Sequence, residues 1–304
     1  MNNKYILDIN SISKSYDEYK ILNDFSCGIL PGEIIGIVGK NGVGKTTLIK
    51  SILGLTHIDT GRIVFYGGDR MLYGKGIPHY VTGMVESPKL YENLSGIENI
   101  KMYASLYGKI DMIRINNILN QLELQSSIKK KVLTYSLGTK QKIYIAMIFS
   151  IEADIYILDE PMNGLDPVVI KVFREFMVNL VRKKNKAIIL SSHNLPECEK
   201  LCNRYIFMKK NCKYKLFNEN EIYRKKQNAW RITLSNKIDE FIKQLEELGK
   251  SHKFEEVKNF VEVERIEKNL LFELLEKYEV QKIERVTDSL EEFFLKWEKE
   301  ENEI

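Results

Sequence analysis

The octapeptide GKNGVGKT, Gly39–Thr46, spaces its glycines and its Lys-Thr pair as a phosphate-binding loop does. It follows the apolar run Glu33–Val38 and precedes the helical stretch that starts at Thr46, the context in which such a loop works. Gly39, Gly42 and Gly44 let successive backbone N–H groups curl around phosphate oxygens, and the helix N-terminus adds partial positive charge. Asn41 and Thr47 belong to the same cradle. Lys45 is expected to reach β- and γ-phosphates, and the Thr46 hydroxyl is placed to bind Mg²⁺ bridging them. A loop of this form serves kinases, GTPases and motors alike, so downstream residues must decide between them.

Two adjacent acids, Asp159 and Glu160, end the apolar run that begins at Asp154. Neighbouring side chains on a strand face opposite ways, so the two are expected to divide the work. Asp159 is expected to aim at the metal shell, and Glu160 to orient or deprotonate an attacking water. His193 closes another buried-type run, Ala187–Ser192, at the strand edge where ligands of parallel sheets bind. A γ-phosphate contact is the expectation for it.

A second anion site is written at Tyr135–Lys142, YSLGTKQK. Ser136 offers a hydroxyl and Gly138 an unobstructed N–H, both at the start of a helical run.

These residues need a scaffold. Through residue 217, β-type runs (5–10, 33–38, 62–66, 81–85, 154–158, 187–192, 204–209) alternate with helical patterns, an α/β pattern with a largely parallel sheet. The stretch Tyr5–Ile29 is expected to form a small antiparallel β-subdomain beside it. Residues 218–227 mark a boundary between a first domain, 1–217, and a small α+β domain, 228–304. In the latter the order βαββαβ, with one helix added, is ferredoxin-like. No catalytic constellation falls in that segment, and a packing or regulatory role is expected for it.

The chain has 304 residues, 44% of them hydrophobic, enough for a main domain with an appendage. Its net charge of +4 conceals an asymmetry: 30 Lys+Arg against 21 Asp+Glu through residue 220, and 16 against 21 beyond. A basic first domain would favour anionic nucleotide or a lipid surface, but a lysine-rich solvated face is the preferred reading. No apolar run approaches the roughly 20 residues that span a bilayer, and no leader segment is evident, so a soluble or peripheral cytoplasmic protein is expected. Cys27, Cys198, Cys202 and Cys212 read as reduced thiols. A zinc set drawn from His193, Cys198, Cys202 and Cys212 lacks any CxxC pair, which argues against it.

With these motifs in this order, residues 1–217 resemble the nucleotide-binding subunits of ATP-binding-cassette (ABC) transporters. The resemblance implies a cassette of parallel sheet core, antiparallel β-subdomain and helical subdomain, with ATP and Mg²⁺ as cofactors. It implies that Tyr16 stacks on adenine and that YSLGTKQK is the signature segment completing the ATP pocket of an opposite subunit. NGLD, ending at Asp166, matches the D-loop. A second cassette in a homodimer and a separate membrane-spanning permease are the implied partners, the latter docking near Glu86–Asn99. Two departures stand out. Leu137 and Thr139 replace the usual glycine and glutamine of the signature. Glu86 occupies the position of the Q-loop glutamine and would bring a full negative charge near the metal. Glu86 and YSLGTKQK together resemble the bacitracin and lantibiotic immunity branch, whose members export antimicrobial peptides.

The alternatives are an ABC-type ATPase acting on ribosomes or nucleic acid, and a module that holds ATP without hydrolysing it. The first usually carries paired cassettes or a coiled-coil insertion, neither of which occurs in this sequence, and no nucleic-acid partner is expected. Glu160 and His193 argue against the second.

Overall fold

Alternation of apolar and polar residues near the start of the chain gives two long antiparallel strands, β1 (Leu7–Tyr16) and β2 (Tyr19–Ile29), which meet at a turn where Asp17 takes φ 52°. The fully apolar β3 (Ile34–Val38) follows, then β4 (Thr60–Phe65). The computed structural model describes residues 5–65, 80–85, 90–108, 110–223, 225–255, 260–264 and 266–300. By its contacts the chain divides into two units, Met1–Asn218 and Glu219–Ile304.

In the first unit β4 does not join the parallel sheet, as the run at 62–66 had suggested. It pairs antiparallel with β1, giving a three-stranded sheet in the order β2-β1-β4. The larger sheet takes β5 (Val81–Met84), β6 (Ile155–Leu158), β7 (Ala187–Ser192), β8 (Arg204–Met208) and β9 (Tyr214–Asn218) together with β3. Its order is β5-β6-β7-β3-β8-β9, parallel except for β9, which returns antiparallel on β8. Every residue of β3, β6 and β7 is buried, the mark of strands covered on both faces. One core cluster runs from Leu7, Ile9 and Phe25 through Leu48 and Ile49 to Ile37, Ile157 and Ile189, so the two sheets and the helix after β3 share it.

That helix is α1 (Lys45–Ile52). Between β5 and β6 lie α2 (Gly96–Ser105), α3 (Met112–Gln121) and α4 (Leu137–Ser150). Ser95 and Glu98 close a reciprocal capping box on α2, and Asp111 caps α3. The buried run Ile143–Ser150 anchors α4 against α2, α3 and α5 (Pro167–Lys184). After β7 comes the short α6 (Leu195–Leu201).

The strand order decides the site. Because β6, β7 and β3 are neighbours and parallel, the loops leaving their C-terminal ends meet at one edge of the sheet. Those loops carry Asp159 and Glu160, His193, and Gly39–Gly44.

The second unit opens with α7 (Glu219–Ile222) and continues β10 (Lys225–Leu234), α8 (Ile238–Glu247), β11 (His252–Glu255), β12 (Phe260–Val263), α9 (Lys268–Leu275), β13 (Val280–Thr287) and α10 (Leu290–Glu300). Its antiparallel sheet runs β11-β12-β10-β13, the ferredoxin-like order, with α10 as the added helix. Trp230, Ile232 and Leu234, alternate residues of β10, pack with Phe241, Leu245, Leu271 and Leu274 into a core of its own.

Candidate nucleotide site

Three glycines shape the loop between β3 and α1, each for a geometric reason, and Gly42 takes φ 80°. Gly44 stands before α1 at φ 110°, a conformation that side chains resist. A Cβ on Gly39 would lie 2.5 Å from the carbonyl oxygen of Met208 and 2.8 Å from Val43 Cγ2, so the loop can leave β3 against β8 only with glycine there. Asn41 and Gly42 are exposed at the tip of the loop, while Thr47 is half-buried in α1.

Lys45 is buried, 6% exposed, and curls back over the loop: Nζ donates to the carbonyl oxygens of Gly39 at 2.7 Å and Lys40 at 3.2 Å. These bonds hold the ammonium above the cradle of backbone N–H groups. Its charge also faces Glu160, with Nζ 3.7 Å from Oε1.

Thr46 Oγ1 donates to Asp159 Oδ2 at 2.7 Å, joining the start of α1 to the end of β6. Asp159 is 5% exposed, and its other oxygen accepts from Ser191 Oγ at 2.5 Å. A hydroxyl and a carboxylate supply hard oxygen donors, the chemistry that suits Mg²⁺. The donor set therefore fits that ion, with Thr46 and Asp159 as the residues that could hold it.

Glu160 departs from the expected strand alternation. β6 ends at Leu158, and Glu160 turns into the left-handed region at φ 47°. The two acids are separated by this turn, not by a pleat. Strain of this kind gathers at functional sites. The Glu160 N–H donates to Ser191 Oγ at 2.8 Å, and Oε2 lies 2.9 Å from His193 Nδ1. His193 is thus brought to Glu160 as well as to the edge of the sheet. Its own backbone N–H donates to the same Glu160 Oε2 at 3.4 Å, and beside it Asn194 N–H donates to Ser192 Oγ at 2.9 Å while the Asn194 side chain caps α6.

Other expected residues lie apart from this cluster. Ser136 caps α4, accepting from Thr139 N–H at 3.3 Å and meeting Thr139 Oγ1 at 2.9 Å. Asp166 caps α5 with Oδ1, which accepts from Val168 and Val169 N–H, each at 2.9 Å. Its Oδ2 faces Gly138, 3.7 Å from where a Cβ would stand. Gln141 Nε2 donates to the Gly164 carbonyl, tying the signature helix to the loop before α5. Between these elements a cavity of about 650 Å³ is lined by Leu137, Gln141, Tyr144, Pro161, Leu165 and Glu160. Tyr16 sits half-exposed at the end of β1, with its hydroxyl 3.4 Å from Thr56 Oγ1 and Lys14 Nζ over its ring. Glu86 lies outside the described residues.

Sequence reasoning missed Ser191 and Gln141. The polar pair before His193, at the end of an otherwise apolar strand, was the signal for the first; nothing local marks the second. Among the described residues no three His, Cys, Asp or Glu side chains gather as a metal set, and Cys212 Sγ instead donates to the Lys20 carbonyl at 3.0 Å.

A family model described as ABC transporter matches residues 22–163. An uncharacterized ABC transporter ATP-binding protein of Bacillus subtilis (strain 168), YhcH, is 32% identical over 300 residues, covering 96% of this chain and 95% of that protein. The chain belongs to the ATP-binding proteins of ABC transporters. This ABC protein is also similar to the bacitracin transport ATP-binding protein BcrA of Bacillus licheniformis, at 36% identity over 64% of each chain. A solved structure described as the ATP binding subunit of an ABC transporter superposes with a TM-score of 0.64 at 30% identity, over 71% of this chain and 91% of that one. Membership in a transporter family sets aside the ribosome or nucleic-acid alternative. No described helix of this cassette is long and apolar enough to cross a membrane.

Proposed function

We propose that this ABC protein hydrolyses ATP at the edge of its six-stranded sheet and thereby drives a separate membrane permease. The observation that carries the reading is one connected set of groups: Lys45, Thr46, Asp159, Glu160 and His193, linked within 3.7 Å from neighbour to neighbour. The link from Asp159 to Glu160 runs through Ser191. Lys45 and the N–H groups of the glycine loop bind β- and γ-phosphates, and Tyr16 offers its open ring to adenine. Mg²⁺ held beside Thr46 and Asp159 would neutralise charge developing on the phosphate oxygens.

Glu160 then orients a water against the γ-phosphorus. The water oxygen bonds to phosphorus, the bond to the β,γ-bridging oxygen breaks with its electron pair remaining on ADP, and a water proton passes to Glu160. His193, near Glu160 and exposed, contacts the γ-phosphate.

Ser136 and Gly138 complete the pocket of a second copy. Ser136 Oγ takes up the Thr139 N–H as a cap, and the N–H of Gly138 at the same helix start would meet a phosphate presented by a partner chain. Two ATP molecules would therefore close a homodimer, and loss of γ-phosphate would reopen it. The permease docks near residues 86–99, which places the cassette peripherally at the inner face of the membrane. The domain from about 228 onward braces or regulates it. Similarity to BcrA supports export of an antimicrobial peptide, giving resistance to its host.

The test is Glu160→Gln. It should bind ATP, release almost no phosphate and run as a dimer when ATP is present; a variant that turns over at the normal rate would remove Glu160 from the role of water activator.

A further inference from the structure

Ser191 lies near the end of β7, and His193 is the first residue beyond that strand. The end of β7 and the residue after it both reach Glu160, Ser191 at its backbone N–H and His193 at its carboxylate. The sheet register explains why. Leu158 pairs with Leu190, so the first residue beyond β6, Asp159, falls beside Ser191. The Ser191 side chain is fully buried.

The direction of its two bonds is fixed by chemistry. An ionised carboxylate only accepts and a backbone N–H only donates. The single Ser191 proton must go to Asp159 Oδ1, and a lone pair of the same oxygen must receive the Glu160 N–H. One hydroxyl thus ties the side chain of the first acid to the backbone of the second, at the residue whose φ of 47° needs holding.

We propose that Ser191 is a positioning residue for hydrolysis: it locks the Asp159 carboxylate and the left-handed turn at Glu160 in one register. The proposal rests on Glu160 being the water activator, as argued above. Nucleotide is gripped by the glycine loop and Lys45, so the Ser191 hydroxyl governs the chemical step and the metal requirement, and leaves ATP affinity almost untouched.

Ser191→Ala removes both bonds without adding bulk. Phosphate release under saturating ATP should fall about 10- to 100-fold, the range for loss of an outer-shell partner, while KM for ATP and the binding of a fluorescent ATP analogue shift by less than about threefold. The Mg²⁺ concentration for half-maximal rate should rise. Ser191→Thr keeps the hydroxyl and should restore most of the rate; Ser191→Cys, near in size but a weak donor, should stay slow with a normal melting temperature. Glu160→Gln is measured in parallel. If it stops turnover while Ser191→Ala keeps the normal kcat and Mg²⁺ dependence, Ser191 has no positioning role. Equal loss of analogue binding and kcat in Ser191→Ala would also overturn the proposal, since that is what a merely structural serine does. Should Glu160→Gln itself turn over normally, the fault lies in the assignment of Glu160.

Discussion

Thr46 Oγ1 donates to Asp159 Oδ2 at 2.7 Å, so the first turn of α1 and the end of β6 are joined by one hydroxyl. Ser keeps that hydroxyl and Val, close in shape to Thr, does not. Thr46→Ser should keep its Mg²⁺ requirement near the normal one, whereas Thr46→Val should need at least about tenfold more Mg²⁺ for half-maximal phosphate release. An Mg²⁺ titration of both variants reads the difference, and equal curves would remove Thr46 from the metal site.

Gly39 and Gly42 make a graded pair. Alanine at 39 drives its Cβ to 2.5 Å from the Met208 carbonyl, and backbone cannot yield as a side-chain tip can. Alanine at 42 meets open space but must adopt φ 80°. Gly39→Ala should cost about 1–3 kcal/mol or more through overpacking and abolish ATP binding. Gly42→Ala should cost about 1–2 kcal/mol, from conformation alone. Urea unfolding with an ATP-binding assay ranks them, and the reverse order would show that the loop leaves β3 differently.

Burial pushes the Cys27 thiol up to about 11, and it also raises Cys202, Tyr103 and Tyr156. A group with a folded value above its unfolded one contributes stability below the unfolded pKa and loses it as pH climbs toward the folded value. The melting temperature should therefore hold up to about pH 8.5 and fall steadily between about pH 9 and 11, as the unfolded chain ionises thiols and phenols that the fold keeps neutral. A melting temperature flat through pH 11 would contradict these burials. At pH 8, Cys212, the one cysteine of the four not fully buried, should react with a maleimide well before Cys27, Cys198 and Cys202.

The parts of the site legible in the sequence are those whose spacing is local. Gly39–Thr46 carries its own geometry, and the acids and His193 announce themselves as polar ends of apolar runs. The turn at Glu160 is different: no glycine or asparagine marks that left-handed residue, so alternation was the natural and incorrect expectation. Ser191 depends on the register between β6 and β7, residues more than 30 positions apart in the chain, which no local pattern encodes. Placement of β4 in the antiparallel sheet is likewise a matter of pairing with β1. Strand β9 is only five residues long, and its Tyr214 and Leu216 find their place by packing against the main core and by pairing antiparallel with β8, which no local pattern encodes. In the second unit the alternation of β10 and the spacing of α8 and α9 were strong enough to give the βαββαβ order directly.

Sharing of each ATP between two copies is tested most directly by mixing two inactive variants, Lys45→Ala and Ser136→Ala. In a mixed dimer with trans pairing, one pocket collects both lesions and the other receives an intact Lys45 from one chain and an intact Ser136 from its partner. Phosphate release should then reappear in the mixture although neither variant shows it alone. A mixture as inactive as its components would mean that Lys45 and Ser136 serve the same chain's pocket, and the clamp between copies would be wrong.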